Sequence, residues 1–215
     1  MNELFYRSTL VPSKESNAAV LQDPWEITYG PDDSLWITEA KGYRVRKVHP
    51  VNGGRRTILN LRNESGAFAT TEYRRTFSDG QSPWPQGGMM GLAIHPDYNH
   101  PTTPKKYVYI AYVRNYVGNN QTYNGEYISG RLFWTWIVRF QYQNGQLVSP
   151  VKICDTIRGS NDHNSGRMII APVNGVNYLF YAEGDMGGGQ FDNHNRVNKA
   201  QWKNSYEGKN SSLQS

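Results

Sequence analysis

The sequence predicts an all-β fold built from short antiparallel strands, and three observations carry that prediction. Aromatic residues are plentiful, with 15 Tyr and 6 Trp, while charged residues make up 19% of the 215 positions, a balance that suits strands and turns better than a helical bundle. No window keeps an apolar period of 3.6 residues. One pattern also returns three times: an apolar strand, a proline-containing turn and an aromatic strand, around Pro31, Pro96 and Pro172.

Taken in order, residues 4–11 read as a strand and 12–17 as a loop. Strands at 25–29, 35–39, 43–48 and 57–61 follow, separated by Gly30-Pro31-Asp32-Asp33, Lys41-Gly42 and Asn52-Gly53-Gly54; this is a four-stranded meander the size of one propeller blade. Residues 62–85 hold few aliphatic side chains and read as a long surface insertion, of the kind that lines sites. The second occurrence runs from 91–94 through His95-Pro96-Asp97 to a strand at 107–113, with 115–129 expected as a loop. Strands at 135–142 and 147–154 are joined by Asn144-Gly145, the strongest short hairpin signal in the chain. The third occurrence is 168–171 and 178–182 around Pro172-Val173-Asn174-Gly175. The three prolines lie further apart than the ~40 to 50 residues of a compact blade, so the repeat holds only with loops as insertions. By this count the chain forms about three blades.

The stretch 159–190 is written for chemistry. A hairpin turning at Asn174 makes residues equally far from the turn into neighbours, and His163 lies as far before Asn174 as Asp185 lies after it. A carboxylate there accepts a hydrogen bond from one imidazole nitrogen, fixes the tautomer and leaves the other nitrogen free as a general base. A His among Asn, Asp, Ser and Gly equally suits a solvated loop, and spacing alone does not choose. Gln86 precedes two glycines that let a backbone approach a flat ligand closely; the plainer reading is a turn feeding a strand. Gly187-Gly188-Gly189 is neither a P-loop nor a dinucleotide fingerprint, since no Lys-Ser/Thr and no helix follow. The Asx-rich segments around Asn161 and Asp192 lack the regular spacing of a calcium loop, so no metal ligand is assigned from the residues themselves.

Other features narrow the function classes. Cys154 stands alone in an apolar run as a small core residue, and His95 and His100, flanking a Pro-Asp turn, are expected as surface or turn residues. The net charge of +5 is scattered rather than gathered into a basic stripe with stacking aromatics, which argues against nucleic acid as a partner. The first twenty residues hold no signal-peptide h-region, and no run approaches a membrane span.

Five segments taken together carry a family resemblance. LQDPWEITYGPDD (21–33), LWITE (35–39), QGGMMGLAIHPD (86–97), NDHNSGR (161–167) and GDMG (184–187) resemble, in the same order, the glucose/sorbosone dehydrogenase family of soluble sugar dehydrogenases that use pyrroloquinoline quinone (PQQ). The resemblance implies a six-bladed β-propeller, here a partial one spanning 1–209, with PQQ lying flat near the axis together with Ca²⁺. It implies that His163 is the general base, that Asp185 orients it, that Asp162 and Gln190 stand beside the sugar, and that Gln86 lines the quinone pocket. In the implied reaction His163 takes the proton of the anomeric hydroxyl as the C1 hydride passes to the quinone, and Ca²⁺ acts as a Lewis acid on the quinone carbonyl. The sugar is the small-molecule partner, an external electron acceptor completes the cycle, and a periplasmic or secreted location is implied. The family's contacts to the quinone carboxylates and most Ca²⁺ ligands come from later blades. A propeller fragment that binds a carbohydrate or protein without catalysis is the alternative, since a fold does not fix a function.

The residues 210–215 are expected to be a non-native tail. After Gly208-Lys209 the family opens an apolar strand, whereas this chain turns polar. One permitted codon set for 208–215 contains a run of A, and deleting one A restores Gly-Lys-Ile-Leu-Arg-Phe-Asn-Leu, which points to a shifted reading frame.

Overall fold

The structure is a computed structural model that describes residues 7–10, 21, 23–62, 68, 87–117, 121–123, 126–128, 131–160, 162–190 and 196–214. The expected strand at 4–11 and the insertion at 62–85 fall largely outside these residues, as does Gln86. Among the described residues the elements are strands and one 3-10 turn, Pro96–Asn99.

Strands β1 (Pro24–Tyr29), β2 (Leu35–Glu39), β3 (Arg44–Val48) and β4 (Arg55–Asn60) form an antiparallel meander in chain order. In the second sheet β5 (Met89–Ile94) pairs with β6 (Tyr107–Val117); after a hairpin of β7 (Gln121–Tyr123) and β8 (Glu126–Ile128), β9 (Arg131–Gln143) pairs with β6, and β10 (Gln146–Arg158) with β9. The third sheet is β11 (Ser165–Val173), β12 (Val176–Glu183) and β13 (Asn210–Gln214). Each recurrence of strand, proline turn and aromatic strand is therefore the first pair of one sheet.

Apolar alternation explains why the sheets stack. Trp36, Tyr43, Val45 and Ile58 on the first sheet, Met90, Ile110, Tyr112 and Phe140 on the second, and Leu179 and Tyr181 on the third belong to one buried cluster. The first two strands of the first sheet converge with the first strands of the other two. The Thr38 hydroxyl donates to the Met90 carbonyl at 2.5 Å, the Trp25 indole N–H to the Ser165 carbonyl at 3.1 Å, and the Arg167 guanidinium to Glu26 at 2.9 Å. A Cβ on Gly91 would stand 1.9 Å from the Gly166 carbonyl oxygen, so only glycine lets β5 and β11 approach this closely. Convergent first strands are how blades surround an axis.

One expectation needs correction, and two further segments show how local sequence and structure meet. The β6–β9 ladder runs out to Val117↔Arg131 and the hairpin β7–β8 follows, so most of 115–129 is strand rather than loop. Polar residues among the aromatic ones hid the period, but ladder hydrogen bonds come from the backbone. Of the surface or turn roles expected for His95 it takes the turn: the residue is buried, and its Nδ1 accepts from the Asp97 amide at 3.0 Å, capping the 3-10 turn. The residues 210–214 form a strand despite their polar sequence: among the described residues it is paired on one side only, to β12, and Leu213 packs against the core.

Candidate active site

The site grows from the turn of the third sheet. Asn174 and Gly175, with φ of 49° and 80°, close β11 onto β12 in the two-residue turn that matches strand twist. From Val173↔Val176 to Met168↔Tyr181 the register is regular; between Met168 and Ser165 it slips by one residue, a β-bulge that ends on Ser165↔Glu183. The slip sets His163, two residues before β11's first pair, level with Asp185, two residues after β12's last. Beyond the ladder the two segments stay in contact: Met186 N–H donates to the His163 carbonyl at 3.3 Å and Gly184 N–H to the Asn164 carbonyl at 3.2 Å. A Cβ on Gly184 would lie 1.7 Å from the His163 carbonyl oxygen, so this crossing requires glycine.

The His163 Nδ1 and the Asp185 Oδ1 are 2.9 Å apart. The same Asp185 oxygen accepts the Gly187 amide at 3.0 Å, and its Oδ2 accepts the Asn198 side chain at 3.3 Å. Burial pulls the Asp185 carboxyl upward, but the Gly187 amide, His163 and Asn198 outweigh it and leave it below the ordinary carboxylate range. The carboxylate is thus charged and accepts the Nδ1 proton, so in the neutral imidazole Nε2 carries the lone pair. The His163 side chain is 33% exposed. Asp162 stands beside it, with Oδ1 3.7 Å from Nε2, and the same oxygen accepts the His163 amide at 3.0 Å.

The loop under His163 is braced by its own polar groups. Ser160 N–H donates to Asn164 Oδ1 at 2.8 Å, Asn164 Nδ2 to the Ser160 carbonyl at 2.9 Å, and the Ser160 hydroxyl to the Met186 carbonyl at 2.9 Å. His163 holds φ of 48°, an uncommon conformation that such bracing sustains. The structure therefore brings together His163, Asp185 and Asp162. Gln190 is exposed at the end of the Gly187-Gly188-Gly189 turn, its amide donating to the Gly187 carbonyl at 2.9 Å. Gln86 lies outside the described residues.

Sequence reasoning missed the supports. Asn198 and Ser160 bear on the site through single hydrogen bonds across loops, which no periodicity encodes. It also missed a buried group beneath the site, where Arg196 donates to Glu207 Oε1 at 2.7 Å and to the Gly159 carbonyl at 3.3 Å, beside Glu183.

With this geometry in hand, comparison with known proteins is specific. The profile of the family Glucose / Sorbosone dehydrogenase matches residues 21–215. Quinoprotein glucose dehydrogenase B of Acinetobacter calcoaceticus is 29% identical over 173 residues, covering 79% of this chain and 30% of that protein. The PQQ-bound form of aldose sugar dehydrogenase from Streptomyces coelicolor superposes with a TM-score of 0.60 at 20% identity, over 90% of this chain and 45% of the other. A crystal structure of glucose dehydrogenase gives a TM-score of 0.57 at 20% identity, over 91% and 45%. The chain thus spans less than half the length of these relatives. The likeness to the solved structures shows the fold, that of a β-propeller of which this chain forms a part. The chain belongs to the glucose/sorbosone dehydrogenase family.

Proposed function

We propose that this chain carries the proton-accepting part of a PQQ-dependent sugar dehydrogenase site, and the observation that supports it most is the 2.9 Å contact between His163 Nδ1 and Asp185. Oxidation of an aldose at C1 removes a hydride and a proton. His163 Nε2 takes the proton of the anomeric hydroxyl; Asp185 holds the ring in the tautomer that can do so and stabilises the imidazolium that results. Asp162, next to Nε2, and Gln190, on the exposed end of the glycine turn, are placed by this reading at the sugar, where each offers acceptors to its hydroxyls.

PQQ, when bound, supplies the hydride-accepting carbonyl carbon, and Ca²⁺ the Lewis acid beside it. The described residues fit the reacting edge of such a group, since a partly exposed imidazole with a carboxylate-fixed tautomer is the base that hydride abstraction from an alcohol needs. Gln86 is the residue of this chain we assign to the quinone pocket. The electron acceptor is external, and we place the protein outside the cytoplasm by its family. No helix among the described residues is long and apolar enough to cross a membrane.

The test uses a protein in which this chain is continued to the length of its relatives. His163→Ala should bind PQQ with Ca²⁺, seen as the quinone absorbance band, yet lose roughly 10² to 10⁴ in kcat, the usual worth of a general base. Parental turnover in His163→Ala would refute the assignment.

A further inference from the structure

Beneath the site lies a polar group that the proposed reaction does not use. Glu183 ends β12 and is 4% exposed, and neither of its carboxyl oxygens has a hydrogen-bond partner among the described residues. The groups around it and around its neighbour Tyr181 come from four elements. From β12 itself there is Tyr181, 1% exposed and with an unpartnered hydroxyl. From β9 the fully buried Thr135 hydroxyl faces that of Tyr181 without closing a hydrogen bond, and from β10 Cys154 lies near Tyr181. From the segment 196–209 come Arg196 and Glu207, an ion pair at 2.7 Å, and Lys209, whose carbonyl accepts the Glu183 amide at 2.9 Å while its ammonium donates to the Glu207 carbonyl at 3.2 Å and to that of Ala200. On the other side of Gly184 stands Asp185, held by His163.

The guanidinium in this group is already engaged. Arg196 donates to Glu207 and to the Gly159 carbonyl, so it tethers two segments that both reach the site. Gly159 leads into the braced loop of Ser160, Asp162 and His163. Beyond Arg196, Glu207 Oε2 accepts the Lys199 amide at 3.3 Å, and between them Asn198 grips Asp185 Oδ2 at 3.3 Å. A second full negative charge at Glu183, buried and unpartnered, would sit beside Glu207 and compete for the guanidinium.

We propose that Glu183 is a positioning residue for the His163–Asp185 pair: as a neutral acid it leaves Arg196 to hold Glu207 and Gly159, and on ionising it draws Arg196 away and loosens both segments that carry the pair. Burial first, and then the Glu207 carboxylate, push the Glu183 carboxyl up to about 8, against the smaller opposing pull of Arg196. The switch therefore lies on the alkaline side of neutrality. The inference rests on the geometry of the pair; it rests on the reading of His163 as the base only for its consequence in turnover, which the following measurements do not involve.

The test takes the chain as it is and its Glu183→Gln variant, which keeps the shape of the neutral acid and cannot ionise. The wild type should show the infrared band of a protonated carboxyl at neutral pH, lost with a midpoint near 8 and missing from the variant. The His163 ring resonances, identified by their absence in His163→Gln, should show a second inflection near 8 in the wild type and none in Glu183→Gln. Above that pH the variant should melt several degrees higher than the wild type, because it avoids the buried charge. An absent carboxyl band at neutral pH, or the same alkaline inflection of His163 in both proteins, overturns the proposal. Should Glu183→Gln fail to fold, the wild-type spectra still decide: a lost band whose midpoint no His163 inflection follows shows a buried acid that does not position the pair. Failure of His163→Ala to lose turnover would leave all these results standing, so the two readings fail separately.

Discussion

Two carboxyl groups two positions apart show how environment, not sequence, sets a side chain's role. Asp185 gains the Gly187 amide, His163 and Asn198, and is held below the ordinary carboxylate range; Glu183 gains burial and a like charge, and is pushed up to about 8. Their signs in folding are opposite. Asp185 contributes stability that is present above its unfolded pKa and lost as pH falls through its lower folded value, whereas the contribution of Glu183 is complete below its unfolded pKa and lost as pH rises toward 8. Asp185→Asn should therefore flatten the acid limb of a melting-temperature profile and leave the alkaline limb as it was; an unchanged acid limb would show the carboxylate unperturbed. The same variant bears on chemistry. An amide at 185 that donates to Nδ1 forces the proton onto Nε2, and the lone pair that accepts a substrate proton is gone, so in the extended protein kcat should drop by roughly 10² or more. A kcat within a few-fold of the parent would remove Asp185 from the mechanism. The pairing of His163 with Asp185 was legible in the sequence because a hairpin is a mirror. Glu183 was not, since nothing in the letters YAEGD says that its oxygens meet no donor. Asn198 was not either, because a loop contact has no period.

At the scale of elements, the mirror worked only through an irregularity. With the turn centred between Asn174 and Gly175, an unbroken ladder would set His163 level with Met186; the extra residue between Ser165 and Met168 restores Asp185. The bulge was invisible in the sequence, although Gly166 with φ of 106° is the residue such a bulge favours. Deleting Gly166 removes the extra residue, so β11 should straighten while a regular ladder keeps His163 level with Asp185 and its Nδ1 proton held. Histidine ring NMR would report it, and loss of the slowly exchanging Nδ1 proton would show that the bulge's own backbone bend, and not the residue count alone, sets the pair. A second element-scale outcome follows from the turn. Gly175 has φ of 80°, and a Cβ at this position would meet nothing within 4 Å, so the cost of Gly175→Val is backbone strain alone, about 1 to 2 kcal/mol, read as a lower denaturant midpoint at unchanged m. Strand starts and the Asn144-Gly145 turn were readable from sequence because turn chemistry is local. Strand ends were not: β6, β9 and β10 run past their expected limits, since the backbone pairing of long neighbouring strands carries polar residues along. The same effect makes a strand of 210–214.

At the scale of the whole molecule, the three-fold return of strand, proline turn and aromatic strand was legible as three sheets, while the way β1 and β2 knit to the first strands of the other sheets through Thr38, Trp25 and Arg167 was not, because those partners lie 52, 140 and 141 residues apart. Among the described residues, the most exposed large apolar side chains on strands lie on the sheets at the two ends of the series, although Val151 on the middle sheet is exposed too. Ile27 and Tyr29 on β1 are 60% and 63% exposed, Ile169 on β11 is 51% exposed, and Val173 and Val176 at the β11–β12 turn are exposed too. In a propeller each sheet face is covered by the next blade, and the chain spans 45% of the length of its solved relatives. β1 and β13 also stand at sheet ends, each paired on one side only among the described residues. Covering an isoleucine fully is worth roughly 1.5 to 3 kcal/mol, well above the ±0.5 kcal/mol of an ordinary surface substitution, so these faces should act in solution. Purified by itself, the chain should self-associate, with sedimentation giving species heavier than one chain and growing with concentration. The double variant Ile27→Lys with Ile169→Lys should shift that distribution toward the monomer without lowering the melting temperature, because neither side chain is in the core. A monodisperse monomer with one cooperative transition in the unmodified chain would show that these faces need no cover, and an unchanged distribution in the double variant would place the contact at the β13 edge instead.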